Sequence, residues 1–304
     1  MTSHTASPDL KLLFQPRSIA IIGASRDPTK SGGMFISRLL SDGYAGRIYP
    51  INPKEPEIMS IKSYPSILDV PDEIDLTIIA ISNNNVPRAM AECSQKKCRF
   101  AIVHSAGFGE LGPQGKTLEN EMLKAARSGG VRVIGPNCMG LFSPQSGINT
   151  VVPYSKLPME HGTVAFVGQS GWTTENFILL GIERGLRFSG AVSIGNQSDL
   201  TIEDLLEYFG NDNPSPGHIE LFHLFFPITY SNFLSPIVII TSGGSCGDLT
   251  KLHPIINMLV SNINMIPTIT FFIVIPSFHS TFGLLLFCSS IHLLQLQQLK
   301  QLLV

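Results

Sequence analysis

The sequence predicts an α/β fold: a doubly wound parallel sheet over residues 1–142, then a second α/β unit that is cut short near residue 215. Three observations carry that prediction. Short β-branched apolar runs recur, segments with helical spacing of apolar residues lie between them, and the runs end in glycine-rich or amide-rich loops. Strands alternating with helices of about 10–15 residues imply βαβ units. Right-handed crossovers then bring the C-terminal end of every strand to one edge, where ligands bind.

The predicted strands of the first unit are Ser18–Gly23, Arg47–Ile51, Asp75–Ile81, Phe100–His104 and Val131–Ile134. Each is short and mostly apolar, as a strand buried on both faces should be. Helical spacing runs through Met34–Asp42, which stops at Gly43, a fitting C′ residue. It returns over Val86–Lys96 and over Lys116–Ser128, the latter ending at Gly129-Gly130. A polar, proline-containing stretch from Ser143 to His161 reads as the domain boundary, with residues 143–160 as linker.

A second alternation fills residues 161–215. Strand Thr163–Val167 leads into GQSG (Gly168–Gly171) and a helix over Thr173–Arg184. Strand Ala191–Ile194 leads into GNQSD (Gly195–Asp199), and Thr201 is placed to N-cap a helix through Phe209. The alternation then calls for a third strand, but Asn211–Glu220 gives way to sequence of another kind.

The break is one of charge. There are 41 charged residues before Leu221 and three after it: Asp248, Lys251 and Lys300. Residues 216–304 are therefore set apart as an atypical apolar tail. Three readings compete for it. It could be a segment foreign to the rest of the chain, through read-through of non-coding sequence or a shifted frame. It could be a membrane anchor over Met265–Cys288, which is uncharged and long enough to span. It could be a buried half-domain. The abrupt change in mid-domain favours the first. Pro267, Pro276 and the lack of flanking Lys or Arg count against the anchor, so no membrane partner is expected.

Composition narrows the function classes. A net charge of −2 offers no basic face, so no nucleic-acid partner is expected. The polar start MTSHTASPDL has no apolar core for a signal peptide, and a cytoplasmic location is expected. Cys93, Cys98, Cys138, Cys246 and Cys288 have no metal-type spacing and read as free thiols of a reducing compartment. No metal site is expected.

The strand-end loops hold the candidate chemistry. GASRDPTKSGG (Gly23–Gly33) combines small residues, which let backbone approach a phosphate, with the N-terminus of the following helix. Lys30 adds a point charge. The second strand ends in INPK, and Lys54 stands where a dinucleotide site wants an acid for the ribose 2′-OH. An ammonium there favours a phosphorylated ribose, as in CoA or NADP; a solvated surface lysine is the plainer alternative. SNNN (Ser82–Asn85), HSAGFGE (His104–Glu110) and GPNCMG (Gly135–Gly140) are rich in amides and glycine and suit a long neutral chain such as pantetheine. His104 reads as a packed or solvent-facing residue rather than a base. In GQSG, the N–H groups of Ser170 and Gly171 and the Ser170 hydroxyl could hold an oxyanion. GQSGW is not the G-x-S-x-G of a hydrolase elbow.

Taken in order, SIAIIGASRDPTKSGG, IYPINPK, DLTIIAIS, AIVHSAGFGE, GVRVIGPNCMGLFSP, GTVAFVGQSG and SIGNQSDLTIEDLLEYF resemble the NDP-forming acyl-CoA synthetases. That family includes ADP-forming acetyl-CoA synthetase and the succinyl-CoA synthetase α subunit. The likeness runs over about Leu12–Asn213. It implies a Rossmann-like CoA-binding domain followed by a truncated flavodoxin-like domain of the succinyl-CoA-synthetase type. It also implies that Gly23, Ser25, Lys30 and Gly32 line the CoA phosphate region and that Lys54 faces a CoA phosphate. Ser82, Asn83, Asn84, Asn85, Ser105, Ala106, Gly107 and Asn137 would border the adenosine and pantetheine path. Gln169, Ser170 and Gly171 would form the pocket for phosphate or phosphohistidine.

The implied reaction is acyl-CoA plus ADP and phosphate giving acid, CoA and ATP through a phosphohistidine, with Mg²⁺. The sequence departs from that pattern in two places. No ATP-grasp part is visible, so an ATP-grasp β-type subunit or domain is the expected partner, and ADP/ATP and Mg²⁺ belong only to the complete enzyme. No Ser-His-Thr-Gly segment is found, and His279 in SFHSTFG is rejected as phosphocarrier, so no catalytic residue is named. Two alternatives stand beside the ligase. One is a CoA or acyl-CoA-binding regulatory module without turnover, as in some protein acyltransferases. The other is an NADP-dependent oxidoreductase, disfavoured because the fingerprint glycines and a Tyr-x-x-x-Lys are missing.

Overall fold

A computed structural model describes residues 10–152 and 155–211, together with six short strands between Phe222 and Leu285. Asn213–Glu220, Cys246, Cys288 and His279 lie outside the described residues. So does the candidate span Met265–Cys288, apart from strands Phe271–Ile275 and Leu284–Leu285. Among the described residues, no helix is long and apolar enough to cross a membrane.

The first sheet is wholly parallel. Its strands are β1 (Ser18–Ile22), β2 (Arg47–Ile51), β5 (Leu76–Ile79), β6 (Phe100–Val103) and β7 (Arg132–Ile134), in the order β2-β1-β5-β6-β7. The register aligns Ser18 with Arg47, Ile19 with Leu76, Leu76 with Phe100 and Phe100 with Arg132. Every residue of β1, β5 and β6 is buried, which is why these runs carry no polar alternation. The chain runs from β1 outward to β2 and returns past β1 to β5. That reversal opens a crevice at the C-terminal ends of β1 and β5, the switch point of a doubly wound sheet. The small hairpin β3 (Glu57–Ile58) and β4 (Ile61–Lys62) turns through Met59 and Ser60 at φ 50° and 62°. Positive φ at both central residues matches the right-handed twist of the paired strands.

The helices end where the sequence says they should. After α1 (Lys11–Phe14), α2 (Ser31–Ser41) gives way to Gly43 at φ 80°. Helix α3 (Val86–Gln95) carries Pro87 in its first turn, and α4 (Pro113–Gly129) runs from Pro113 to a left-handed Gly130. Met90, Cys93, Met122 and Ala126 of α3 and α4 cover one face of the sheet. On the other face, Phe35, Ile36 and Leu39 of α2 join a core shared with the second unit through Val167, Val192, Leu205 and Phe209.

The second sheet contains β8 (Gly140–Ser143), β9 (Ile148–Asn149), β10 (Val164–Gly168) and β11 (Phe188–Ser193). Strands β10 and β11 are parallel, as the alternation predicts. Strands β8 and β9 add antiparallel to the β11 side, so part of the stretch read as a linker is sheet. On the far side of β10 lies Ile237–Thr241, antiparallel, with Val164 opposite Thr241. No parallel third strand follows among the described residues. Helices α5 (Gly171–Glu183) and α6 (Ile202–Asn211) complete the unit, and Phe166 stacks on Phe177 at 4.2 Å between centroids.

The two units are closely joined. Phe14 of α1 stacks on Tyr208 at 4.7 Å, and its carbonyl accepts from Ser143 Oγ and Ser146 Oγ.

Candidate functional site

The loops after β1, β2, β5, β6 and β7 gather along the C-terminal edge of the first sheet, as the parallel topology requires. In the first loop, backbone approaches backbone so closely that only glycine fits. A Cβ on Gly32 would lie 2.0 Å from the Gly23 carbonyl oxygen. One on Gly23, which has φ 90°, would lie 2.3 Å from the Ala80 carbonyl oxygen. These contacts seat the loop on the first turn of α2, whose N-cap makes no side-chain hydrogen bond. Ser25 Oγ accepts from Asp27 N at 3.1 Å, and Asp27 Oδ1 accepts from Thr29 N and Oγ1. Those hydrogen bonds from Thr29 hold the Asp27 carboxyl below the usual carboxylate range. Lys30 is the exposed N-cap residue of α2.

The second loop is fixed to the first. Asn52 Nδ2 donates to the Ala24 carbonyl at 2.8 Å, and Asn52 Oδ1 accepts from Lys54 N at 2.8 Å. The Lys54 side chain is exposed. Arg26, which the sequence reading passed over, donates to the Glu57 carbonyl at 3.2 Å and pairs with Glu55 at 2.8 Å. Three cationic side chains, Arg26, Lys30 and Lys54, thus belong to these two loops.

In the third and fourth loops, Ser82, Asn84, Asn85 and Ala106 are exposed, while Asn83 is half-buried and tied down. Asn83 Nδ2 donates to the Gly107 carbonyl at 2.8 Å, and a Cβ on Gly107 would meet that nitrogen at 2.3 Å. Ser105 Oγ donates to the Ile81 carbonyl. Asn137 is exposed at φ 58°, and its N–H donates to the Ser105 carbonyl at 3.0 Å. The predicted residues of the three loops therefore form one hydrogen-bonded rim. His104 is partly buried against its neighbours. Its Nδ1 bonds the Cys138 carbonyl at 2.9 Å, its ring meets Phe35 edge-on, and burial lowers its basicity.

The GQSG loop opens α5. Ser170 is the N-cap, and its Oγ accepts from Thr173 N at 3.4 Å. Accepting that bond uses an oxygen lone pair, so the Ser170 O–H can still donate to an anion beside the free first-turn N–H groups. Gly171 is crowded, since a Cβ there would lie 2.2 Å from Met139 Cγ. Gln169 Oε1 is buried and has no hydrogen-bond partner.

The GNQSD loop does more than end a strand. Asn196 N donates to the Pro136 carbonyl, Ser198 N to Gly135 and Leu200 N to Val133, at 2.9, 3.1 and 3.1 Å. Asp199 Oδ2 accepts from Val133 N at 2.8 Å and Arg132 Nε at 2.9 Å. This loop straps the second unit along the end of β7. Gly195 N also donates to the Gln169 carbonyl at 3.1 Å, which joins the strap to the GQSG loop. Nothing in local spacing announces the Asp199 bonds, because their partners lie 66 and 67 residues away.

A doubly wound sheet with glycine-lined backbone and exposed lysines on its strand-end loops has the architecture at whose switch point ligands bind. Residues 17–144 match the CoA binding domain, and residues 161–216 match the succinyl-CoA ligase like flavodoxin domain. The first two-thirds of the chain belongs to the NDP-forming acyl-CoA synthetase family. It is 37% identical over 203 residues to the α subunit of acetate–CoA ligase [ADP-forming] II of Pyrococcus furiosus, covering 66% of this chain and 43% of that one. It is 34% identical over 199 residues to 4-hydroxybutyrate–CoA ligase [ADP-forming] of Nitrosopumilus maritimus, covering 66% of this chain and 28% of that one. Among solved structures, it resembles the dinucleotide-forming acetyl-coenzyme A synthetase 1 of Ca. Korarchaeum cryptofilum, determined with phosphate and ADP. That match has 37% identity and a TM-score of 0.63, and covers 69% of this chain and 44% of that chain. The chain spans less than half the length of these relatives. Both domain matches end by residue 216, ahead of Leu221.

Proposed function

We propose that residues 12–213 form the CoA-binding and phosphate-binding portion of an NDP-forming acyl-CoA synthetase, and that this chain alone binds CoA or acyl-CoA without turning it over. The observation that carries the reading is the close backbone seat of Gly23 and Gly32 at the switch point, with Lys30 and Lys54 on the loops beside it. Such a seat keeps side chains off the start of α2, as a phosphate-binding helix end requires. The residues fit CoA in three stretches. Gly23, Ser25, Lys30 and Gly32 hold the diphosphate, and Lys54 meets the 3′-phosphate. Ser82 to Asn85, Ser105 to Gly107 and Asn137 border the adenosine and pantetheine. When bound, CoA supplies the thiol that carries the acyl group.

Gln169, Ser170 and Gly171 form the phosphate pocket, with the N–H groups of Ser170 and Gly171 and the Ser170 hydroxyl as donors. The complete reaction, acyl-CoA with ADP and phosphate giving acid, CoA and ATP, requires a phosphocarrier histidine and an ATP-grasp partner. Both lie beyond residues 12–213. Nucleotide and Mg²⁺ belong to that partner's site, and the assembly works in the cytoplasm. The apolar sequence after residue 216 stands outside the family. Purified chain supplied with acetyl-CoA, ADP, phosphate and Mg²⁺ should form no ATP while retaining the thioester on an equilibrium dialysis membrane. Sustained ATP formation would overturn the assignment of an incomplete enzyme, and failure to retain acetyl-CoA would overturn the site.

A further inference from the structure

The loop that borders the pantetheine path in that reading has an unusual anchor. Three successive backbone N–H groups, of Gly107, Phe108 and Gly109, turn inward to two carboxylates. Gly107 N and Phe108 N donate to Glu110 Oε1, the second at 3.1 Å, and Gly109 N donates to Glu119 Oε2 at 3.2 Å. Glu119 is almost fully buried, and Lys116 Nζ pairs with its other oxygen. Both carboxylates are then joined by one amide from the second unit. Asn196 Nδ2 donates to Glu110 Oε2 at 2.6 Å and to Glu119 Oε2 at 3.0 Å. An amide nitrogen has two hydrogens, so each carboxylate takes one.

We infer that Asn196 is a positioning residue: through Glu110 and Glu119 it fixes the Ser105–Gly109 loop, and so sets where the pantetheine arm of CoA runs. The inference rests on the CoA reading above. The geometry makes Asn196 more than a surface contact. Hydrogen bonds to charged acceptors are the stronger class, and here one side chain supplies two of them. Its main chain is held as well, by the Pro136 carbonyl, and its neighbour Gly195 by the Gln169 carbonyl. A continuous path thus runs from the GQSG loop through Gly195 and Asn196 to Glu110 and Gly107. On the opposite side of the loop, Asn83 holds the Gly107 carbonyl. With Asn196 removed, the two carboxylates lose the shared donor that ties them to the second unit, and the loop is held only from within the first unit, by Glu110, Glu119, Asn83, Ile81 and Asn137.

The test compares two ligands on the full chain by calorimetry. CoA spans the whole path, whereas adenosine 3′,5′-bisphosphate uses only the adenosine end. Asn196→Ala should weaken CoA about tenfold and leave adenosine 3′,5′-bisphosphate within about twofold. Glu110→Gln keeps the side-chain volume but puts an NH₂ where Asn196 needs an acceptor, and it should show the same split. Retained adenosine 3′,5′-bisphosphate affinity also certifies that each variant is folded. Equal losses for both ligands, or no loss for either, would overturn the inference. If the unaltered chain binds neither ligand, the CoA reading itself has failed and the role of Asn196 falls with it.

Discussion

Replacing Gly32 by alanine separates a seat for phosphate from an ordinary tight turn. The added Cβ would stand 2.0 Å from the Gly23 carbonyl oxygen, 2.7 Å from its carbonyl carbon and 3.1 Å from Ala24 Cα. All three are backbone atoms, so no side chain can swing aside. The Gly23 peptide must retreat by roughly 1 Å to restore ordinary contact, and overpacking of this kind costs about 1–3 kcal/mol. Alanine returns part of that, up to about 1 kcal/mol, through its better helix propensity in the first turn of α2. The net expectation is a loss of about 1–2 kcal/mol in urea unfolding. A displacement of about 1 Å at a binding loop is far more costly to the ligand, and CoA affinity should fall about 10- to 100-fold. Gly43→Ala is the matched control. Gly43 has φ 80° and nothing within 4 Å of an added Cβ, so it should cost about 1–2 kcal/mol through backbone strain alone. CoA affinity should be unchanged there. If the two variants bind CoA equally well, the Gly23–Gly33 loop is not the seat.

Two further predictions follow from the charges. Lys54→Ala should weaken CoA about three- to tenfold and dephospho-CoA hardly at all, measured by competition; equal losses would remove Lys54 from the 3′-phosphate. The carboxylates that Asn196 joins give a pH signature. Burial alone would push Glu119 upward, but hydrogen bonds from Lys116, Asn196 and Gly109 N outweigh it and hold the carboxyl below the ordinary glutamate range. Burial is likewise outweighed at Glu110, by Asn196 and the backbone N–H groups of Gly107, Glu110 and Phe108. For a folded pKa below the unfolded one, the unfolded chain takes up protons first as pH falls. The stabilisation is full above about pH 4.5 and is lost as pH drops through the folded values. Urea midpoints between pH 6 and pH 3 should therefore fall less steeply for Glu119→Gln than for the unaltered chain, and parallel curves would contradict this.

The strands of the first sheet were legible because burial on both faces leaves an unbroken apolar run. Phe100–Val103 and Ser18–Ile22 differ from expectation by a single terminal residue. The hairpin at Glu57–Lys62 was not legible, since Met59 and Ser60 adopt positive φ without the Asn-Gly signal that announces such a turn. Strands β8 and β9 are too short, and too broken by Ser143, Pro144 and Gly147, to register as periodic, and that stretch read as a connector. The order of the strand-end loops was enough to locate the candidate site, because topology alone collects them on one edge. What the residues do there was only partly readable. Ser170 has the sequence of an N-cap as plainly as that of an anion donor, and its oxygen caps Thr173 N while its proton stays available to donate. The bonds that join Asn196 to Glu110 and Glu119 were passed over because the fold sets them, across 86 and 77 residues, and no local spacing encodes them.

The central claim is that the edge of the first sheet selects a 3′-phosphorylated adenosine carrying a thiol arm. Calorimetric titration of the full chain with CoA, with NADPH as the competing ligand, meets it head-on. CoA should saturate at a single site, and NADPH should neither bind nor displace it. Tight uptake of NADPH with no heat from CoA would show that these loops serve a redox nucleotide instead.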